Sequence, residues 1–317
     1  MNKKGGTTVT FPLTAHRMGN SVVSKLVDLP STPLAAFAAG RVAGRIIMNA
    51  TGLRTLTDPS PFAHRDNDPN ADTSGLINAR GSYRVRLASS EADRLAAFRL
   101  RFLVFNLELD EGLDAAHATG YDTDPFDAAC DHLIVEHPGS GKVVGTYRLQ
   151  TGVGASANLG FYSEREFDFT PYRRLGDSVI ELGRACVHRD HRSTEVLYLL
   201  WRGIAEYAIH HGGRYLIGCS SLTSQDPAHG TAVYEAMRDH LVEPQLRTAP
   251  RPAFAMPLMA PENASDKIPK LLRAYLAVGA KICGPPAIDR EFKTIDFLTL
   301  MDLETLHPRV RGRFLRA

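Results

Sequence analysis

The chain has 317 residues, of which 44% are hydrophobic and 23% charged, the ordinary balance of a soluble globular protein. That length allows one large domain, or one domain with additions. A formal net charge of +2 excludes the strongly basic balance of a nucleic-acid binder, so no nucleic-acid partner is expected.

The charge is uneven along the chain. Residues 1–50 hold Lys3, Lys4, Arg17, Lys25, Arg41 and Arg45 against the single acid Asp28. The last ten residues hold Arg309, Arg311, Arg313 and Arg316 and no acid. Either end suits an anionic surface, or is a solvated terminus. No apolar h-region follows Lys3 and Lys4, which excludes a secretory signal. No run reaches the ~18 apolar residues of a spanning helix. The four cysteines, Cys130, Cys186, Cys219 and Cys283, lack CxxC or Cys/His spacing, which excludes a zinc site. No metal is expected. Cys186, Cys219 and Cys283 lie in apolar runs, where cysteine acts as a small hydrophobe. That usage fits a cytoplasmic protein.

Taken in order, residues 1–80 read as an N-terminal extension. Within it, 33–56 is moderately amphipathic and basic, with Leu34, Phe37, Val42, Ile46 and Leu53 against Arg41, Arg45 and Arg54. Such a segment lies in a membrane interface or packs on the main domain. Residues 57–81, rich in Asp, Asn, Pro and Ser, read as a polar linker. The main domain is expected over 82–305, followed by a basic tail at 306–317.

Tyr83–Ala88 reads as the first strand. Ser90 and Asp93 form a capping box for a helix running to about Glu108. His132–Glu136 and Val143–Thr151 read as a hairpin about Pro138-Gly139-Ser140-Gly141. The apolar run Val179–Val187 reads as a strand. Residues 194–211 form an apolar helix closed by Gly212-Gly213. Tyr215–Ser220 is a strand, and Asp226-Pro227 opens another helix. Lys270–Val278 is helical, and Ala280–Cys283 and Thr294–Met301 are the last strands. This order gives an α+β domain with helices packed on a mostly antiparallel sheet.

The informative stretch is Glu181-Leu182-Gly183-Arg184-Ala185-Cys186-Val187. It carries a carboxylate and a guanidinium inside an apolar strand, and charges are rarely buried unless paired or used. In a regular strand Glu181 and Arg184 point to opposite faces. A bulge at Gly183 restores a shared face, and bulges are common beside sites. A second charged set lies upstream, at Asp124, Asp127, Asp131 and Arg148. If 127–131 is helical, Asp127 and Asp131 share a face.

Several motifs appear in sequence: Arg101-Phe102-x-x-Phe105-x-x-Glu108, Asp124-x-x-Asp127-x-x-x-Asp131-His132-Leu133 and Val144-Gly145-Thr146-Tyr147-Arg148-Leu149. Then follow Tyr162-Ser163, Glu166-Phe167-Asp168, the Glu181–Val187 strand, and Glu291-Phe292-x-Thr294-x-Asp296. As a set, over about Tyr83 to Met301, they resemble the bacterial ornithine lipid N-acyltransferases. More distantly the chain is similar to the acyl-homoserine lactone synthases. The resemblance implies a GNAT-like fold. It also implies transfer of a 3-hydroxyacyl chain from acyl carrier protein to the α-amine of ornithine, giving a lyso-lipid. No permanently bound cofactor is implied, since the acyl-carrier thioester is a substrate. Peripheral contact with the inner membrane would follow from the product. Glycine or tyrosine as acceptor, or a haemolysin-like membrane binder without catalysis, are the alternatives.

That chemistry needs an amine without its proton, attacking a thioester carbonyl. The oxyanion needs a donor, often a backbone N–H. Glu181 orients the amine or takes its proton, or instead forms a structural ion pair with Arg184 or Arg148. Gly183 sits where a kink would expose backbone N–H groups to the carbonyl. Arg101, Asp127, Asp131 and Arg148 recognise the amino acid, or order the 110–131 loop. Cys186 has no evident activating partner, which argues against a nucleophile. The turn Arg189-Asp190-His191-Arg192-Ser193-Thr194 lacks the glycine that close pyrophosphate approach favours. A single phosphopantetheine phosphate fits it better, with Arg189 and Arg192 expected to meet an acidic carrier protein.

Overall fold

Ser90 ends the extended segment Tyr83–Leu87 by turning its side chain onto the Asp93 N–H, while Asp93 reaches back to the Ser90 N–H. This capping box opens helix α1, Glu91–Arg101, which continues as a π-helical stretch over Phe102–Glu108. The expected length is correct, but the last two turns are wound wider. The computed structural model describes residues 78–259 and 268–315. The amphipathic segment 33–56 and most of the linker 57–81 lie outside the described residues.

Among the described residues nine strands form one sheet. They are β1 (Asn78–Arg80), β2 (Tyr83–Leu87), β3 (Asp131–His137), β4 (Lys142–Thr151), β5 (Val179–Val187), β6 (Tyr215–Leu222), β7 (Lys281–Ile282), β8 (Ala287–Asp289) and β9 (Thr294–Asp302). The order is β1-β2-β3-β4-β5-β6-β9-β7, with β8 also paired to β9. Every pairing is antiparallel except β5 with β6. Those two are joined through helix α4, Thr194–His210, capped at its start by Ser193, in the strand–helix–strand unit that a parallel pair requires. Strands β1 and β8 are additions to the sequence-based expectation. Both are three residues long, too short to show an alternating pattern.

The shorter helices are α2 (Ala116–Thr119), α3 (Gly152–Ala157), α5 (Pro227–Glu235), α6 (Lys270–Val278) and α7 (Pro308–Phe314). Pro227 stands at the first position of α5 behind the Asp226 cap, as its fixed φ favours. One face of the sheet carries the largest core. There Val196, Leu199, Leu200 and Ile204 of α4 pack on Val85, Leu133, Leu149 and Ile180. The stretch expected as a basic tail contributes as well. Helix α7 buries Val310 in this core, and Phe314 packs beside Tyr198 and Trp201 of α4. On the opposite face Leu100, Val104 and Phe105 meet Cys186, while Phe167, Phe169 and Tyr172 cover Val179, Ile217 and Cys219.

The β5–β6 ladder is short. It pairs Val179, Ile180 and Glu181 with Tyr215, Leu216 and Ile217 and then ends. Both strands run on beyond that point, so a V opens between them. At its apex Gly218 lies so close to Leu182 that a Cβ would stand 2.3 Å from the Leu182 carbonyl oxygen. Only glycine fits that approach.

Candidate active site

Strand β5 carries the expected bulge, one residue beyond Gly183. Gly183 pairs with Arg148 and Cys186 with Thr146, so Arg184 and Ala185 together oppose Tyr147. Arg184 takes φ +50°, a conformation that costs a side-chain-bearing residue roughly 1–3 kcal/mol and persists only when its surroundings hold it. The bulge reverses the alternation of β5. Ile180 and Leu182 pack in the α4-side core, while Glu181 and, past the bulge, Arg184 share the other face.

Arg184 is held by a buried network of three arginines and three aspartates. Its Nη1 and Nη2 donate to Asp122 Oδ2 and Asp124 Oδ2, each at 3.2 Å. Arg101 donates from Nε to Asp122 Oδ1 at 2.7 Å, and from Nη1 and Nη2 to the two oxygens of Asp127 at 2.8 and 2.9 Å. Arg148 donates from Nη1 to Asp124 Oδ2 at 2.5 Å and Asp127 Oδ1 at 3.1 Å. All six side chains are buried, and their formal charges cancel. Burial works against the Asp127 carboxylate, but Arg101 and Arg148 outweigh it and hold its pKa well below the usual range. The aspartates are placed locally. Asp124 and Asp127 cap each other across the 3-10 turn Pro125–Ala128.

Two expectations for this set change. Asp131 does not join Asp127 and Arg148. The turn is a tight 3-10 one rather than an α-helix, and Asp131 opens β3, where its Oδ2 accepts the Tyr207 hydroxyl of α4 at 2.7 Å. Asp122, which no motif singled out, takes a central place. Its only sequence signal is its spacing of two residues from Asp124.

Glu181 pairs with neither Arg184 nor Arg148 in the described ion pairs. Its Oε2 and Oε1 accept the backbone N–H groups of Tyr162 and Ser163, each at 2.7 Å. These are the first N–H groups of a 3-10 turn, Tyr162–Arg165, donors with no partner inside the turn. Burial raises the Glu181 pKa, opposed by Ser163, Tyr162 and the charge of Arg148. The Ser163 side chain is a third hydrogen-bond partner of this carboxylate.

Behind the apex of the V, on the α4 side, lies a cavity of about 40 Å³ lined by Leu182, Gly218, Trp201, Tyr147 and Tyr275 among others. Trp201 of α4 borders this space. The Tyr147 and Tyr275 hydroxyls meet at 2.9 Å. Burial pushes Tyr147 up to about 12 despite that contact, so both hydroxyls keep their protons. The cavity and the charged face thus meet through the V, with Glu181 and Gly183 at the junction.

The remaining expected residues lie on the loop after β5. Arg192 is tied down, with Nη2 2.6 Å from Glu108 Oε1 and Nε donating to the Val187 carbonyl at 3.1 Å. Arg189 is exposed, 3.9 Å from Asp190. Burial pushes the Cys186 thiol far up, which leaves no thiolate for nucleophilic attack.

A bulged, splayed β5 thus lies between an apolar cavity and a buried charged network, and the comparisons with known proteins define the class as an acyltransferase. The model of the acetyltransferase (GNAT) domain matches residues 100–202. The L-ornithine N(alpha)-acyltransferase of Rhodobacter capsulatus is 33% identical over 247 residues, spanning 74% of this chain and 95% of that relative. That of Brucella abortus is 34% identical over 250 residues, spanning 74% and 89%. Among solved structures, the acyl-homoserine lactone synthase LasI superposes with a TM-score of 0.42 at 14% identity, over 74% of this chain and 95% of that one. The chain belongs to the L-ornithine N(alpha)-acyltransferase family. Among the described residues no helix is long and apolar enough to cross a membrane.

Proposed function

We propose that the protein transfers a fatty acyl group from a carrier-protein thioester to the α-amine of ornithine, giving a lyso-ornithine lipid. The observation that carries this is the placing of an apolar cavity and a buried charged network on the two sides of β5, where the β5–β6 ladder ends. The thioester enters from the α4 side, its chain against Leu182, Trp201 and Tyr275. The amine comes from the Glu181 side. Its nitrogen bonds to the carbonyl carbon, the C–S bond breaks, and the thiolate leaves and takes up the amine's proton. Glu181 orients the amine and relays that proton. Gly183, at the bulge, leaves backbone N–H groups near the carbonyl oxygen.

The donor reading rests on the β5–α4 loop. It has no glycine and offers one exposed arginine, Arg189, beside the α4 N-terminus, features that fit a single phosphate on an acidic carrier. The product partitions into membrane, and exposed Arg309 and Arg311 on α7 present cations to a headgroup surface. The test is direct. Purified protein with acyl carrier protein bearing a C16 or C18 acyl chain, and ornithine, should yield N-acylornithine by mass spectrometry. The same chain on coenzyme A should react more slowly. No N-acylornithine from either donor overturns the proposal, and equal rates overturn the carrier-protein part.

A further inference from the structure

The V between β5 and β6 is basic on one arm and acidic on the other. On the basic arm, three buried polar atoms have no hydrogen-bond partner: Arg148 Nη2, Arg184 Nε and the Tyr162 hydroxyl. Their residues are 3%, 0% and 4% exposed, so bulk solvent does not reach them. Three donors left over by a network that otherwise spends its N–H groups on aspartates call for one more acceptor. The two guanidinium carbons lie 5.1 and 6.0 Å from the Tyr162 ring centre, so the three residues cluster about one ring.

On the acidic arm, Glu166, Asp289 and Asp296 bring carboxylate oxygens within 4.8 Å of one another, all buried. Asp296 stands opposite Ser221 in the β6–β9 ladder. Asp289 Oδ1 accepts the N–H groups of Glu291 and Phe292 at 2.9 and 3.0 Å. Burial, then the charge of Asp289, push Asp296 up to about 7. The groups acting most on Asp296 are Asp289, Ser221, Glu166 and Thr294, none of them cationic. A proton or a cation relieves such a cluster.

The arms are one aromatic residue apart. The Phe292 ring lies 5.0 Å from Arg184 Cζ, and its N–H donates to Asp289. The Tyr162 hydroxyl feels both arms, since the charges of Arg184 and Glu166 act on it with opposite sign.

We propose that this V is a two-armed cradle for the amino-acid acceptor. Arg148, Arg184 and Tyr162 hold its carboxylate, and Glu166, Asp289 and Asp296 hold the ammonium at the end of its side chain. The inference rests on the acyl-transfer reading and adds how a basic acceptor is chosen. A primary ammonium offers three N–H donors and a positive charge to this acidic arm, and a neutral side chain offers neither.

The experiment compares ornithine with norvaline, which has the same carbon chain without the terminal amine. With wild-type protein, KM for ornithine should be at least ten-fold below that for norvaline, and ornithine should raise Tm more than norvaline does. Asp296→Asn and Glu166→Gln, each checked by thermal unfolding, should raise KM for ornithine at least ten-fold and narrow the preference, with a smaller change in kcat. Three outcomes overturn the inference: variants that lose both substrates in parallel with the preference intact, a folded wild type without preference, or transfer abolished by EDTA and restored by Mg²⁺, which would assign the acids to a metal. If a variant does not fold, the wild-type Tm shifts still decide between cradle and none. Failure of the wild type to acylate any amino acid overturns the acyl-transfer reading, and this inference with it.

Discussion

Arg148 stands opposite Gly183 across the β4–β5 ladder, while the next partners along are Thr146 and Cys186. The extra residue between them turns Arg184 onto the face that carries Glu181 and delivers its guanidinium to Asp122 and Asp124. The backbone strain at Arg184 and the buried ion pairs are therefore one feature, since the aspartates hold the residue in a conformation it would otherwise leave.

Arg184→Ala should remove that hold and leave Asp122 and Asp124 short of a buried partner. Breaking a buried pair by deleting one member costs roughly 3–5 kcal/mol. Urea unfolding should show a loss of that size. A loss below about 1 kcal/mol would mean that Arg101 and Arg148 compensate and that the network is not the anchor of the bulge.

Glu181→Gln tests both duties of this carboxylate. The amide oxygen can accept one of the Tyr162 and Ser163 N–H groups, but its NH₂ then faces the other as donor against donor. That mismatch should cost about 1–3 kcal/mol. If Glu181 also relays the amine's proton, kcat should fall by roughly 10²–10⁴, and the loss should lessen as pH rises and more of the acceptor amine is already neutral. A stability loss with kcat unchanged would confine Glu181 to holding the 162–165 turn.

Strand β5 was legible in the sequence from end to end because nothing but its two charges interrupts an apolar run, and α6 was legible because its apolar positions recur at helical spacing. The bulge was half legible. Gly183 is the residue that local propensity favours for it, yet the positive φ falls on Arg184, because Asp122 and Asp124, some sixty residues away in the chain, draw the guanidinium there. Asp131 was misplaced for a related reason: spacing of four implies a shared face only in an α-helix, and the 3-10 turn ends before it. The acid cluster was legible only in pieces. Glu166 and Asp296 stand in separate motifs and Asp289 in none; the β8–β9 pairing brings Asp289 near Asp296, and Glu166 reaches them from the end of the 162–165 turn.

The acid cluster should leave a pH signature. Asp296 holds its proton up to about 7 in the folded chain, against 3.8 as the ordinary value. Between those values the folded state binds more protons than the unfolded, so stability falls as pH rises from about 4 to 7, and the full cost is present above 7. Asp296→Asn removes this titration. The variant should therefore gain on the wild type between pH 5 and pH 8, by on the order of 1–4 kcal/mol, as read from urea midpoints at each pH. A constant difference across that range would show that Asp296 does not titrate in it.

Gly218→Ala tests the apex of the V. The new methyl would lie 2.3 Å from the Leu182 carbonyl oxygen, and this is backbone against backbone, with no flexible side chain to yield. The strands must part where the β5–β6 ladder ends at Glu181 and Ile217, one residue from both the cavity wall and the Glu181 carboxylate. Overpacking of this kind costs about 1–3 kcal/mol, which in a chain of this size lowers Tm by roughly 2–4 °C per kcal/mol. The effect on function should exceed the effect on stability. A shift of about 1 Å between thioester and amine costs on the order of 10² in rate, so kcat should drop in protein that is still folded at the assay temperature. Full activity in a folded Gly218→Ala protein would show that the apex tolerates widening, and that the reaction does not take place where the two strands diverge.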